Sequence, residues 1–285
     1  MTYTYATDKP ARDLVSYQSV RGAEVKAVFQ AISEATPVSQ LHSQFVKPSA
    51  ESSTRSVDYT INFLQTLDFV DKPSDRTVEP IDGQPFEDLP FELRVFHHLK
   101  QQKQPQDHFA RIHEVVVEQD MVLYDKEDLL EDVKRELGDY PFDWNVQKIQ
   151  TWYNLMSPFG LVSVRDNQDV LTSPAPVVVY DLLDAFTRRE DTTQLRKALD
   201  WIETNFFGCY EDRGGIPRVH AGLDSTLDVL VADDILELST PSDATYEVKI
   251  PSANADKASS FELGERPSTP AYSYPLESHE LEVSQ

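Results

Sequence analysis

Cysteine occurs once in 285 residues, at Cys209. One thiol can neither close an intramolecular disulfide nor furnish a cysteine-rich zinc site, so it is expected as a small buried side chain. Glycine is scarce as well, with nine residues. None belongs to a Walker A loop, a dinucleotide fingerprint or a nucleophile elbow, and no His-Glu-x-x-His zinc helix is found. Long apolar runs are missing: stretches such as Val177 to Tyr180 fall far short of a bilayer span, and the opening MTYTYATDKPARD has no signal-peptide core. A cytoplasmic protein is expected. Basic residues are outnumbered, 26 Lys plus Arg against 49 Asp plus Glu, giving a formal net charge of -23.

The acidic excess is spread along the whole chain and Lys is scarce. Carboxylates hold hydration in concentrated salt, and screening there removes most of their mutual repulsion, so the composition is that expected of a salt-accumulating halophile; the rival is an acidic protein of an ordinary cell that avoids nucleic acid or binds basic partners. The length allows two or three small domains, each with its own core.

Three segments repeat one layout: a helical apolar stripe, an apolar pair, a polar tip and an apolar return. In unit one Val57, Ile61 and Leu64 form the stripe, Phe69 and Val70 turn extended, Lys72 to Arg76 make the tip, and Val78 and Ile81 return. In unit two Ile149, Trp152, Leu155 and Met156 precede Gly160, a residue suited to a left-handed helix cap, and Leu161, Val162 and Val164 follow. In unit three Leu223, Leu227 and Leu230 precede a strand at Ile235, Leu236 and Leu238, with Tyr246, Val248 and Ile250 expected as its partner. Further helices lie upstream of each unit, and Asp125 is placed to cap one of them.

A helix-helix-helix-hairpin order resembles the winged-helix superfamily, over roughly residues 22 to 251. The resemblance rests on layout, without a diagnostic string. It implies a mainly α fold with small β-hairpins (α+β): a flexible arm at 1–21, winged helices at 22–85, 86–175 (with a helical insertion) and 176–252, and a disordered acidic Ser/Pro-rich tail at 253–285. Leu14, Val15 and Tyr17 of the arm could pack on unit one. The rival is three helix-then-hairpin pieces of one unrelated α+β domain.

In a DNA-binding winged helix the third helix enters the major groove and the wing touches the flanking backbone. The candidate contacts to double-stranded DNA are then Arg55, Ser56, Tyr59, Lys72 and Arg76 in unit one, Gln147, Lys148 and Arg165 in unit two, and Arg218 and His220 in unit three. Arg55 and Lys148 lead, since Arg reads guanine bidentately and Lys holds phosphate. The expected role is a non-enzymatic DNA-binding regulator, or the recognition subunit of a DNA-processing or defence complex. The alternative is a winged-helix assembly subunit that does not touch DNA. It would dock partners through Trp144 and Tyr153, or through Phe261, Tyr272 and Tyr274 of the tail. No cofactor or membrane is implied. His97, His98, His108 and His113 lie close in sequence, but their spacing does not suit a shared metal, and packing histidines are expected.

Overall fold

The computed structural model describes residues 14–45, 54–104, 106–164, 169–212, 214–240, 246–252 and 256–267. Its architecture is mixed α+β. Unit one runs α1 (Gly22–Gln30), β1 (Thr36–Pro37), α2 (Val38–Phe45), α3 (Arg55–Thr66), β2 (Val70–Ser74) and β3 (Thr77–Pro80). Strand β3 lies between β1 and β2 and is antiparallel to both. Helix α4 (Phe91–Lys100) follows. Unit two repeats the order with α5 (His108–Glu118), β4 (Leu123–Tyr124), α6 (Lys126–Glu136), α7 (Val146–Met156), β5 (Ser163–Val164) and β6 (Val170–Leu171). Its last strand is again central.

Unit three is the same plan with two insertions. Helix α8 (Pro176–Glu190) is followed by Gln194, which bridges to Ser260, and by α9 (Leu195–Asn205). A hairpin, β7 (Tyr210–Asp212) and β8 (Arg218–Val219), precedes α10 (Ala221–Ala232). Then come β9 (Leu236–Ser239), β10 (Val248–Lys249), β11 (Lys257–Ala258) and β12 (Ser260–Leu263). The expected partner of β9, around Val248, instead joins β8 and β11. The actual partner is β12, paired from Leu236↔Leu263 to Ser239↔Ser260. With Gln194 on its other side, β12 is central, as β3 and β6 are.

The third helix ends alike in every unit. A left-handed residue, Asp68 (φ 57), Gly160 (φ 82) or Asp234 (φ 56), stands at the exit. The next amide donates back five residues: Phe69 to Leu64 O at 2.9 Å, Leu161 to Met156 O at 3.1 Å, Ile235 to Leu230 O at 2.9 Å. This is the Schellman termination, in which the reversed residue satisfies the last carbonyls and turns the chain into the following strand. At the other end of unit two, Asp125 caps α6 by accepting from the amides of Glu127 at 2.7 Å and Asp128 at 3.3 Å, as expected.

One continuous core joins the units. Its axle is α4, expected from sequence as an upstream helix of unit two: Phe91, Leu93, Val95, Phe96 and Leu99 are buried together with Glu92, His97 and His98. Phe91 meets Phe29 and Phe69 of unit one, with ring centroids 5.0 Å from each. Phe96 meets Phe159 of unit two and Phe207 of unit three. Charges enter this core only with partners. Lys26 Nζ reaches buried Glu92 at 2.7 Å, and Arg94 bonds Gln84 at 2.6 Å while lying over the Phe29 and Phe69 rings.

Two further expectations are corrected. The part of the arm at 14–20 is packed: Leu14, Tyr17 and Val20 are buried, because a short 3-10 turn (Leu14–Ser16) lays them against α5 and α7. The tail assignment began too early, since Phe261 is a core residue and Arg266 holds Asp181 of α8 through two bonds of 2.6 and 2.7 Å. Tyr272 and Tyr274 lie outside the described residues.

Candidate nucleic-acid and partner interfaces

The three third helices present very different outer faces, although their inner stripes are equivalent. On α3 the inner stripe of Val57, Ile61 and Leu64 leaves Arg55 exposed and Ser56, Asp58, Tyr59 and Asn62 half-buried. The Arg55 guanidinium donates to the Tyr59 hydroxyl at 2.7 Å and lies 5.1 Å from the ring centroid. Tyr59 is itself backed by Tyr17 at 5.5 Å. These contacts lay the planar cation along α3 against the residue one turn on. Asp58 is occupied by His42 at 2.7 Å and Thr54 at 3.1 Å. On the wing of unit one Arg76 is exposed and Lys72 half-buried, with Asp71 and Asp75 beside them.

On α7 the second half is enclosed. Thr151, Trp152, Tyr153, Leu155 and Met156 are all buried, and the exposed positions are Val146, Gln147, Lys148's neighbours on the helix start and Gln150. Gln147 accepts from Gln18 at 3.2 Å. Lys148 is engaged within the fold: its ammonium donates to the Asp143 carbonyl and sits 4.9 Å from the Phe142 ring centroid. Arg165, at the wing tip, lies outside the described residues. Trp144 and Tyr153, expected as partner anchors, are 6% and 3% exposed. The Trp144 indole N–H donates to Leu137 O at 2.7 Å inside a ring cluster with Tyr140 and Phe142. Both residues are core, because closing unit two on α5 and the 14–20 segment requires more apolar surface than one helical stripe supplies.

On α10 the outer face is Asp228, Val229, Val231, Ala232 and Asp233, without a cation. Val229 is 43% and Val231 37% exposed. The basic residue placed before this helix, Arg218, is held between Asp120 at 3.1 Å and Glu211 at 2.6 Å. His220 is buried and caps α10, its Nδ1 accepting from the Gly222 amide at 3.2 Å. Neither is presented to a duplex, so both are corrected from DNA contacts to structural groups.

His220 packs edge-on to His113 of α5, with ring centroids 6.2 Å apart. Burial drives the pKa of each down to about 3. The Lys100 charge adds to the shift at His113 and the neighbouring imidazole to that at His220, while the Gly208 backbone and Asp120 oppose it. His97 is lowered by burial too, against a bond to Asn205 O at 2.9 Å. These are packing histidines, and among the described residues no group of His, Cys, Asp and Glu could hold a metal ion. Cys209 is a buried thiol, as its solitary occurrence suggests. Among the described residues no helix is long and apolar enough to cross a membrane.

One concavity was not anticipated from sequence. It is a cleft of about 720 Å³ between α10 and the β9/β12 pair. The sequence signal for it is Val231, which lines the cleft and falls off the stripe of Leu223, Leu227 and Leu230. No protein-family model, curated protein or solved structure matches the chain.

Proposed function

We propose that the protein is a non-enzymatic recognition subunit made of three winged helices, and that it contacts duplex DNA through unit one. The winged-helix reading is supported by the threefold helix-strand-helix-helix-strand-strand order with the last strand central, and by the shared termination of α3, α7 and α10. The DNA reading is carried by one observation. Of the three third helices, α3 alone carries an exposed arginine, bonded to Tyr59 above an outer face that is half-buried.

Charge bears on this reading without overturning it. Release of counterions from phosphates supplies much of DNA affinity at low salt, where a chain of net charge -23 is repelled. In concentrated salt that contribution vanishes for any protein, and hydrogen bonds and groove fit remain. The test is fluorescence anisotropy of a labelled duplex titrated with the full chain, from low to multimolar salt, under conditions where circular dichroism reports a folded protein. Arg55→Ala is expected to weaken binding by roughly 5- to 100-fold, the value of one bidentate hydrogen-bonded pair with a base. Removing Lys72 and Arg76 should flatten the salt dependence by about 0.9 for each phosphate that is no longer neutralised. No duplex binding at any salt would end the proposal.

A second reading, an assembly subunit, rests on the α10 face. Its acidic and valine side chains repel phosphate and suit a protein.

A further inference from the structure

In a DNA-reading winged helix the nucleic acid lies against the third helix and the wing. In unit three that location is the cleft between α10 and β9/β12. Its lining combines apolar side chains, including Val231, Leu238 and Leu263, with four exposed carboxylates: Asp228, Asp234, Glu237 and Glu262. None of the four forms an ion pair among the described residues. Lys257, the cation that reaches the cleft, is paired with Glu247 at 3.1 Å.

The register adds an independent observation. Glu237 and Glu262 stand directly opposite each other on the antiparallel β9/β12 pair. Like charges at facing positions destabilise a strand pair, whereas opposite charges there are favourable. Two cross-strand carboxylates beside two more from the helix end form a site that becomes favourable once a cation lies between them. The exposed apolar residues make a bare ion an inadequate occupant, because Val231 and its neighbours gain only when apolar surface covers them.

From this charge complementarity we propose that the cleft is a docking site for a basic amphipathic segment of a partner protein, with an apolar side chain seated on the exposed Val231 and Lys or Arg side chains set among the four carboxylates. A second copy of this chain, at net charge -23, is disfavoured there, and so is its own acidic stretch LESHELEV. The site does not depend on DNA binding by unit one, and the two proposals fail separately.

The probe is a labelled amphipathic leucine-lysine peptide, titrated into the full chain by anisotropy at the lowest salt that keeps the protein folded. Binding is expected, weakened about tenfold by Glu237→Gln with Glu262→Gln, the combined effect of two partly exposed charge pairs. The same double variant should leave the urea midpoint unchanged or raise it, since it removes a repulsion. A merely structural role for the two glutamates would lower the midpoint. Val231→Asp should also weaken the peptide. The proposal is overturned if the peptide binds the variants as well as the parent, or if an oligolysine lacking leucine binds equally tightly. It is likewise overturned if binding appears only after removal of residues 268–285, which would make the chain's own tail the occupant.

Discussion

Acid should unfold this protein through two imidazoles before its carboxylates matter. His113 and His220 have folded pKa values near 3, against about 6.5 for an unfolded histidine. A base whose folded pKa is depressed binds fewer protons in the native state, so stability is fully present above about pH 6.5 and falls as pH drops towards 3. Integrating the linkage from pH 7 to pH 5 gives roughly 2 kcal/mol per histidine, about 4 kcal/mol for the pair, with His97 contributing in the same direction. Most carboxylates are still ionised at pH 5, so the window isolates the imidazoles. The assay is urea unfolding at fixed salt at pH 7 and pH 5. The variant pair is His113→Leu with His220→Asn, the latter because Asn keeps an N-cap acceptor for the Gly222 amide. The variant should lose only a minor part of the 4 kcal/mol. Equal stability of the parent at both pH values, or an undiminished loss in the variant, would refute the assignment of buried neutral imidazoles.

Three more outcomes are expected in the same unfolding assay. Lys26→Met leaves the Glu92 carboxylate buried without its cation and should cost about 3 kcal/mol at neutral pH, most of it regained by adding Glu92→Leu. Asp234→Gly should stabilise by roughly 0.5–1 kcal/mol, because glycine occupies the left-handed position without the strain of a Cβ. Phe261→Ala should cost about 3–5 kcal/mol, a core truncation, whereas a surface tail residue there would cost almost nothing.

What could be read from sequence followed the local signals. The stripes of α3, α7 and α10 were legible because their apolar residues recur at helical spacing, and the caps at Asp125 and Gly160 because their chemistry is specific. The same reversal at Asp68 and Asp234 is silent in the sequence: aspartate tolerates the left-handed region but does not announce it. The strand pairing of unit three differs from the expectation for a topological reason. Val248 and Phe261 both lie in short apolar stretches after a polar break, and which one pairs with β9 is decided by Gln194, more than sixty residues upstream, closing on Ser260. Composition also hid which polar residues face outward. Arg218 and Lys148 look like free cations in the sequence, yet Asp120 and the Asp143 carbonyl, brought in by folding, hold them.

The same long-range packing that defeats pattern reading leaves the three similar units with different outer faces. Joining them around α4 requires apolar surface beyond what each unit needs for itself, and α7 supplies it by burying Tyr153 and the rest of its second half. On α7 the exposed side chains are then confined to Val146, Gln147 and Gln150. Helix α10 keeps an exposed outer face of carboxylates and valines without a cation. Helix α3 exposes Arg55 over a half-buried face, the guanidinium bonded to Tyr59, which Tyr17 backs. On the winged-helix reading, then, backbone order is common property while ligand choice is settled separately in each unit, by which outer side chains the shared core leaves uncovered and by their charge.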